Sequence, residues 1–231
     1  MALETVFLDA GGVLLYPNWT RVCAALERYG VDAHPPDLAA AEPLAKRRLD
    51  VDGTIHATND ASRGWLYFNL VLDAAGVPRS EATDAALADL HAFHTTSNLW
   101  EHVPAGIPDV LAALVDSGLR LVVVSNANGT LRDHFRRLEL DRYFVCIVDS
   151  HEEGVEKPDP GLFRIALAKS GADALSTIHV GDLYEVDVVG ARAAGVRGVL
   201  LDERGLYEDA DCPRVRSLHE LLPMIRNGAF D

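Results

Sequence analysis

Val6-Phe7-Leu8-Asp9-Ala10-Gly11-Gly12-Val13 is the stretch on which the fold turns. An apolar run closes on an acid and passes straight into a glycine pair. The run reads as a buried strand and the glycines as a tight turn, so Asp9 stands at the carboxyl edge of a sheet. That edge is where open α/β sheets bind their ligands. Taken alone the feature is weak, since most strand-end Asp residues merely cap a turn or helix. The pattern gains weight because it recurs downstream.

Leu121-Val122-Val123-Val124 runs into Ser125-Asn126-Ala127-Asn128-Gly129. The wholly apolar run predicts a strand buried on both faces. Leu131, Phe135 and Leu138 follow at helical spacing over Thr130 to Leu140. Ser125 thus sits where strand becomes helix, beside N–H groups that favour an anion, and a plain capping role would use the same geometry. Third comes Glu156-Lys157-Pro158-Asp159-Pro160, ahead of a helix from Gly161 to Ser170. Pro158 keeps Lys157 out of helical torsions. Ile178-His179-Val180-Gly181-Asp182 is again a strand ending in an acid, with Asp187 five residues on. Added to Asp9, these carboxylates make a plausible oxygen site for a hard divalent cation such as magnesium.

In this order the segments resemble the motifs of the haloacid dehalogenase superfamily of aspartate-nucleophile hydrolases. The matching residues are Asp9 to Val13, Ser125-Asn126, Lys157-Pro158, and Gly181-Asp182 with Asp187. The resemblance implies that Asp9 attacks phosphorus and forms an aspartyl-phosphate, splitting hydrolysis into two easier steps. Lys157 is implied to neutralise Asp9 and the transferring oxygens, while Ser125 donates to the phosphoryl group. Asn126 and Gly12 are the further substrate-binding candidates. Magnesium is implied on Asp9, Asp182 and the Gly11 carbonyl, with Asp187 orienting Lys157 or a water on the metal.

One departure stands out. Phosphatases of this superfamily usually carry a second Asp two residues after the nucleophile, as acid and then base. Gly11 occupies that position. A positioned acid-base group contributes roughly 10²–10⁴-fold. Phosphatase activity remains the leading expectation, since some members resemble Asp-x-Gly-Asn-Val. Phosphonatases also lack the second Asp and use a cap lysine as a Schiff base. Lys46 is the one lysine of the presumed cap, although its neighbours Arg47 and Arg48 suggest a solvated stretch. Dehalogenases lack that Asp too, but carry Ser where this chain keeps Asp182. A slow binding or regulatory protein on the same scaffold is the remaining alternative. Asp50-Val51-Asp52-Gly53-Thr54 spells the first motif more literally, yet the charged stretch Ala45 to Leu49 before it delivers no strand. It is expected as a loop between cap helices.

The fold expected is α/β, a Rossmann-like doubly wound parallel sheet with an inserted all-helical cap. Strands at Phe144 to Val148, Thr177 to Val180 and Gly198 to Leu201 alternate with helices. Amphipathic patterns at Trp19 to Leu26, Asp37 to Leu49, Ala61 to Ala75 and Glu81 to His94 separate the first strand from the second. Residues 1–15 and 99–231 are assigned to the core and 16–98 to the cap. Trp19, His56, Trp65 and Tyr67 are possible cleft residues, with a core role the commoner one for large aromatics. His91 and His94 lack a third ligand nearby, which favours surface or capping roles.

The 231 residues suffice for one domain with an insertion. A net charge of −14 without a basic face argues against nucleic acid. Cys23, Cys146 and Cys212 have no metal-ligand spacing and suit a reducing compartment. No signal peptide or membrane-length run is read. The expectation is a cytoplasmic hydrolase of a small phosphorylated molecule, monomeric or homodimeric, without nucleic-acid or membrane partners.

Overall fold

The computed structural model describes residues 2–51 and 60–230, with side chains at 2–50 and 64–230. The chain divides into two compact units, one ending at Tyr16 and resuming at Val103, the other spanning Pro17–His102. The helical unit therefore runs slightly past the 16–98 read from the sequence. Leu99, 1 % exposed, belongs to the helical core, and its carbonyl accepts from the Asn18 amide at 2.9 Å.

The first unit is built on six strands: β1 (Thr5–Leu8), β2 (Arg120–Ser125), β3 (Cys146–Asp149), β4 (Thr177–Gly181), β5 (Arg197–Leu201) and β6 (Arg214–Val215). They pair in the order β3-β2-β1-β4-β5-β6, every pair parallel. Val6, Phe7 and Leu8 are fully buried, as a strand covered on both faces must be. On one face Phe7, Val122, Val124 and Val148 pack against Leu162, Phe163 and Ala166. These last three lie on a helix at Pro160–Ser170. Each of the Val, Leu and Phe side chains contributes about 1.5–3 kcal/mol by leaving water.

Register decides what meets at the sheet's carboxyl edge. Leu8 lies opposite Val123 on one side and Val180 on the other. Asp9 is therefore level with Val124 and Gly181, and Ser125 and Asp182 stand one residue beyond. The chain runs outward from β1 to β3 on one side, then returns to place β4 on the other. Beyond the ends of β1 and β4 is thus the switch point where α/β folds hold ligands.

The helical unit contains α1 (Trp19–Arg28), α2 (Pro35–Val51), α3 (Asp60–Ala74) and α4 (Glu81–Thr96). Asn18 caps α1 through the Arg21 amide at 3.0 Å, and a Ser80–Thr83 capping box opens α4. Trp19, Leu26, Leu38, Phe68, Val71, Leu87 and Leu90 form its core. In the first unit follow α5 (Ile107–Asp116), α6 (Leu131–Arg137), α7 (Ser150–Glu153), α8 (Pro160–Ser170), α9 (Gly190–Ala193) and α10 (Leu221–Arg226).

The structure departs from the sequence reading in several places. Asp50 is no loop residue but lies buried in the last turn of α2, whose inward positions Ala45 and Leu49 extend the helix that far. Asp52, Gly53, Thr54 and His56 lie outside the described residues. The helix expected to reach Leu140 stops at Arg137, where Glu139 adopts φ 57°. Pro35-Pro36, read as punctuation, forms the first turn of α2. Strand β6 and helices α5 and α10 were not anticipated. Among the described residues no helix is long and apolar enough to cross a membrane.

Candidate active site

Lys157 is the residue around which the site closes. Its side chain is 1 % exposed, yet it carries a charge that burial alone would expel. Two acids hold it: Nζ lies 3.0 Å from Asp9 Oδ1 and 2.6 Å from Asp187 Oδ1. Their fields outweigh the desolvation and raise its affinity for a proton above the ordinary lysine value. Lys157 is therefore an ammonium at neutral pH.

The loop that delivers Lys157 is clamped from the neighbouring strand. Asn126 Oδ1 accepts from the Lys157 amide at 2.7 Å, and its Nδ2 donates to the Lys157 carbonyl at 3.0 Å. The Lys157-Pro158 peptide bond is cis. The Asn126 side chain, expected at a substrate, thus joins the two loops. Its own loop is anchored in turn by Asp149, whose Oδ2 accepts from the Gly129 amide at 3.0 Å, and by Ser150, whose hydroxyl accepts from the Ala127 amide at 3.1 Å. Neither Asp149 nor Ser150 was anticipated as a site residue.

Asp187 is the most constrained acid. Oδ1 accepts from Lys157 and lies 3.0 Å from His179 Nε2. Oδ2 accepts from the amides of Asp182 and Leu183 at 3.2 and 3.0 Å. Burial raises its pKa, but Lys157 and the His179 hydrogen bond prevail and hold it well below the usual carboxylate range. Glycine is obligatory beside it, because a Cβ on Gly181 would lie 2.0 Å from Asp187 Cγ. With both oxygens engaged, the geometry favours the Lys157-orienting role over direct metal ligation.

Asp9 behaves oppositely. Its carboxylate accepts from the Ala10 amide at 2.8 Å as well as from Lys157. Burial drives its pKa up to about 7, against the pull of Lys157, with the charges of Asp187 and Asp182 pushing further and Ser125 hydrogen bonding opposing them. Ser125 is buried at the end of β2. Gly12 adopts φ 73° and its amide donates to the Leu15 carbonyl at 2.8 Å, so its visible task is the turn. Gly11 has no positive φ and adds no side chain.

Ligand atoms of Asp9, Asp182 and Asp187 lie within 4.8 Å of one another, all three residues buried. Burial lowers the pKa of His179, so its ring is neutral. With all of them ionised, the three carboxylates and one ammonium leave the pocket with a net charge of −2. Hard oxygen donors and that deficit fit a divalent cation of the magnesium type.

Of the other candidates, Trp19 packs edge-on to Phe68 in the helical core, and Tyr67 donates to Glu42 at 2.7 Å. Trp65 stacks on His91, while His94 Nδ1 accepts from the Leu99 amide at 3.2 Å. The two histidines do different work and form no pair. Lys46, expected in solvent, is only 12 % exposed and lies 3.0 Å from Glu42. Its charged neighbours hid this, because helical spacing puts Lys46 on the same face as the buried Glu42 and Asp50, while Arg48 pairs with Asp73.

A doubly wound α/β sheet with a lysine bridging two buried acids at its switch point defines a recognisable class of α/β enzyme. The chain belongs to the haloacid dehalogenase-like hydrolases, a family that matches residues 3–195. It is 31% identical over 144 residues to the "haloacid dehalogenase-like hydrolase domain-containing protein 3" of Xenopus laevis, covering 61% of this chain and 58% of that one. A ribulose-1,5-bisphosphate 5-phosphatase of Halopiger xanaduensis is 30% identical over 214 residues, covering 85% of each. A magnesium-bound HAD-hydrolase structure from Bacillus subtilis shares the fold at TM-score 0.69 and 17% identity, over 97% of this chain and 99% of that one.

Proposed function

We propose that this hydrolase is a magnesium-dependent phosphatase of a small phosphorylated metabolite, acting through an aspartyl-phosphate on Asp9. The observation that carries the reading is the buried acid cluster: an ammonium between Asp9 and Asp187, with Asp182 alongside. A cation held by Asp9, Asp182 and the Gly11 carbonyl would offset the charge of nucleophile and phosphate together.

The chain's own residues do the rest. An Asp9 carboxylate oxygen attacks phosphorus, and the P–O bond to the leaving group breaks. Lys157 keeps the nucleophile aligned and balances negative charge on the transferring oxygens. Ser125 donates to the phosphoryl group from the end of β2. Water then attacks the aspartyl-phosphate and releases inorganic phosphate. Because Gly11 offers no proton, the leaving group takes one from water, which favours esters of acidic alcohols. The covering match to a ribulose-bisphosphate phosphatase supports a phosphorylated sugar as substrate.

The test is phosphate release from p-nitrophenyl phosphate by wild type and Asp9→Asn, with and without magnesium. Magnesium-dependent turnover lost in Asp9→Asn supports the proposal. Absence of turnover with any divalent ion, or metal-independent chloride release from a 2-haloacid, overturns it.

A further inference from the structure

His179 has been given no task, although among the described residues it is the one imidazole in the sheet. It is fully buried in β4, within the otherwise apolar run Ile178-His179-Val180. Strand alternation puts it on the same face as Gly181. That face is shaped for one carboxylate: Gly181 supplies a notch that a Cβ would fill, and His179 supplies a nitrogen 3.0 Å from Asp187 Oδ1. The Phe163 ring packs against the imidazole, centroids 4.9 Å apart at 78°, and fixes its plane.

We propose that His179 is a positioning residue: a neutral Nε2–H donor that sets Asp187 Oδ1, and through it the ammonium of Lys157. The tautomer follows from satisfaction of buried groups. Nδ1 is buried and has no hydrogen-bond partner among the described residues. A hydrogen placed there would be a buried donor without an acceptor, which is costly. The hydrogen therefore belongs on Nε2, where Asp187 accepts it.

The arrangement also explains why the donor is an imidazole. A carboxylate offers about four lone-pair directions. Two amides fix Oδ2, and Lys157 and His179 share Oδ1. Were the fourth donor Lys or Arg, a second cation would compete with Lys157 for the same oxygen. A neutral ring orients the oxygen while leaving its charge to Lys157. Metal-ligating residues depend on such outer partners, whose loss costs about 10–100-fold; the same magnitude is expected here for a lysine.

The catalytic part of this inference rests on the phosphatase reading; the tautomer does not. Long-range ¹H–¹⁵N spectra of histidine-labelled protein at pH 7 should show one ring as the Nε2–H tautomer, absent in His179→Leu. An Nδ1–H ring or an imidazolium at that position overturns the proposal, whether or not any ester is hydrolysed. With p-nitrophenyl phosphate, His179→Leu should lower kcat by about 10–100-fold and move KM less than about twofold. His179→Gln, which carries a neutral N–H donor at similar reach, should recover kcat to within about threefold of wild type. Two folded variants with equal kcat, or a loss confined to KM, refute the positioning role. If the wild type turns over no phosphate ester, the proposed function fails, and the spectra decide this inference alone.

Discussion

Binding magnesium should expel a proton from this protein, and the structure says how much. Asp9, at about 7, is the group able to respond. Asp187 is held far below neutrality by Lys157, and Lys157 far above it by its two acids, so neither changes state near pH 7. A cation next to Asp9 favours its ionised form and drives the proton off. From a value of about 7, the release per metal ion is about 0.9 proton at pH 6, about 0.5 at pH 7 and about 0.1 at pH 8. Apparent affinity should accordingly rise about tenfold per pH unit below 7 and flatten above it. Calorimetric titration with magnesium in buffers of different ionisation heat reads the proton count directly. Asp9→Asn should abolish the buffer dependence. Release that is absent at pH 6, or unchanged by Asp9→Asn, refutes the argument that burial keeps Asp9 protonated without metal.

The same shift has a consequence for stability without metal. Folded Asp9 binds its proton more tightly than the unfolded side chain, so stability falls as pH rises from 3.8 to about 7. Asp9→Asn removes up to about 4 kcal/mol of that loss and should raise the melting temperature at pH 8 but not at pH 4, by calorimetry with EDTA. Gly181→Ala should abolish phosphatase turnover, because its methyl collides with Asp187, and should cost about 1–3 kcal/mol in urea unfolding. Lys46→Ala removes the counter-charge of the buried Glu42, leaving it the Tyr67 hydrogen bond, and should destabilise by roughly 3 kcal/mol in urea; a borohydride-trapped adduct of phosphonoacetaldehyde at Lys46 would instead reveal a nucleophilic amine. Gly11→Asp meets no left-handed φ and should speed alkyl phosphates over p-nitrophenyl phosphate by about a hundredfold, the low end of general acid catalysis.

What could be read from the sequence was whatever has a one-dimensional signature. Val6-Phe7-Leu8 and Leu121 to Val124 announce buried strands because every residue in them is apolar, and Asp9, Ser125 and Asp182 announce strand ends because polarity changes there abruptly. Strand β6 is two residues long and carries no such signal. Residue roles that depend on a distant partner were harder to see. Asn126 looked like a substrate ligand because nothing in Ser125-Asn126 reveals that its amide pairs with the main chain of Lys157. His179 was passed over as one residue of a strand ending in an acid, and its purpose appears only once Gly181 and Asp187 are seen together. Lys46 misled for the same reason, since burial of a helix face depends on what packs against it.

The position of β1 carries a consequence for how the chain matures. Its partners are residues 120–125 on one side and 177–181 on the other. As synthesis proceeds from the amino end, Val6-Phe7-Leu8 emerges first and stays unpaired while the whole helical insertion follows. Helices rich in local contacts assemble fast, whereas a parallel sheet waits on distant segments. The most apolar strand of the molecule thus waits longest, from its own synthesis, for its second neighbour, and a ribosome stalled before β4 would display it as a site for chaperones or for aggregation.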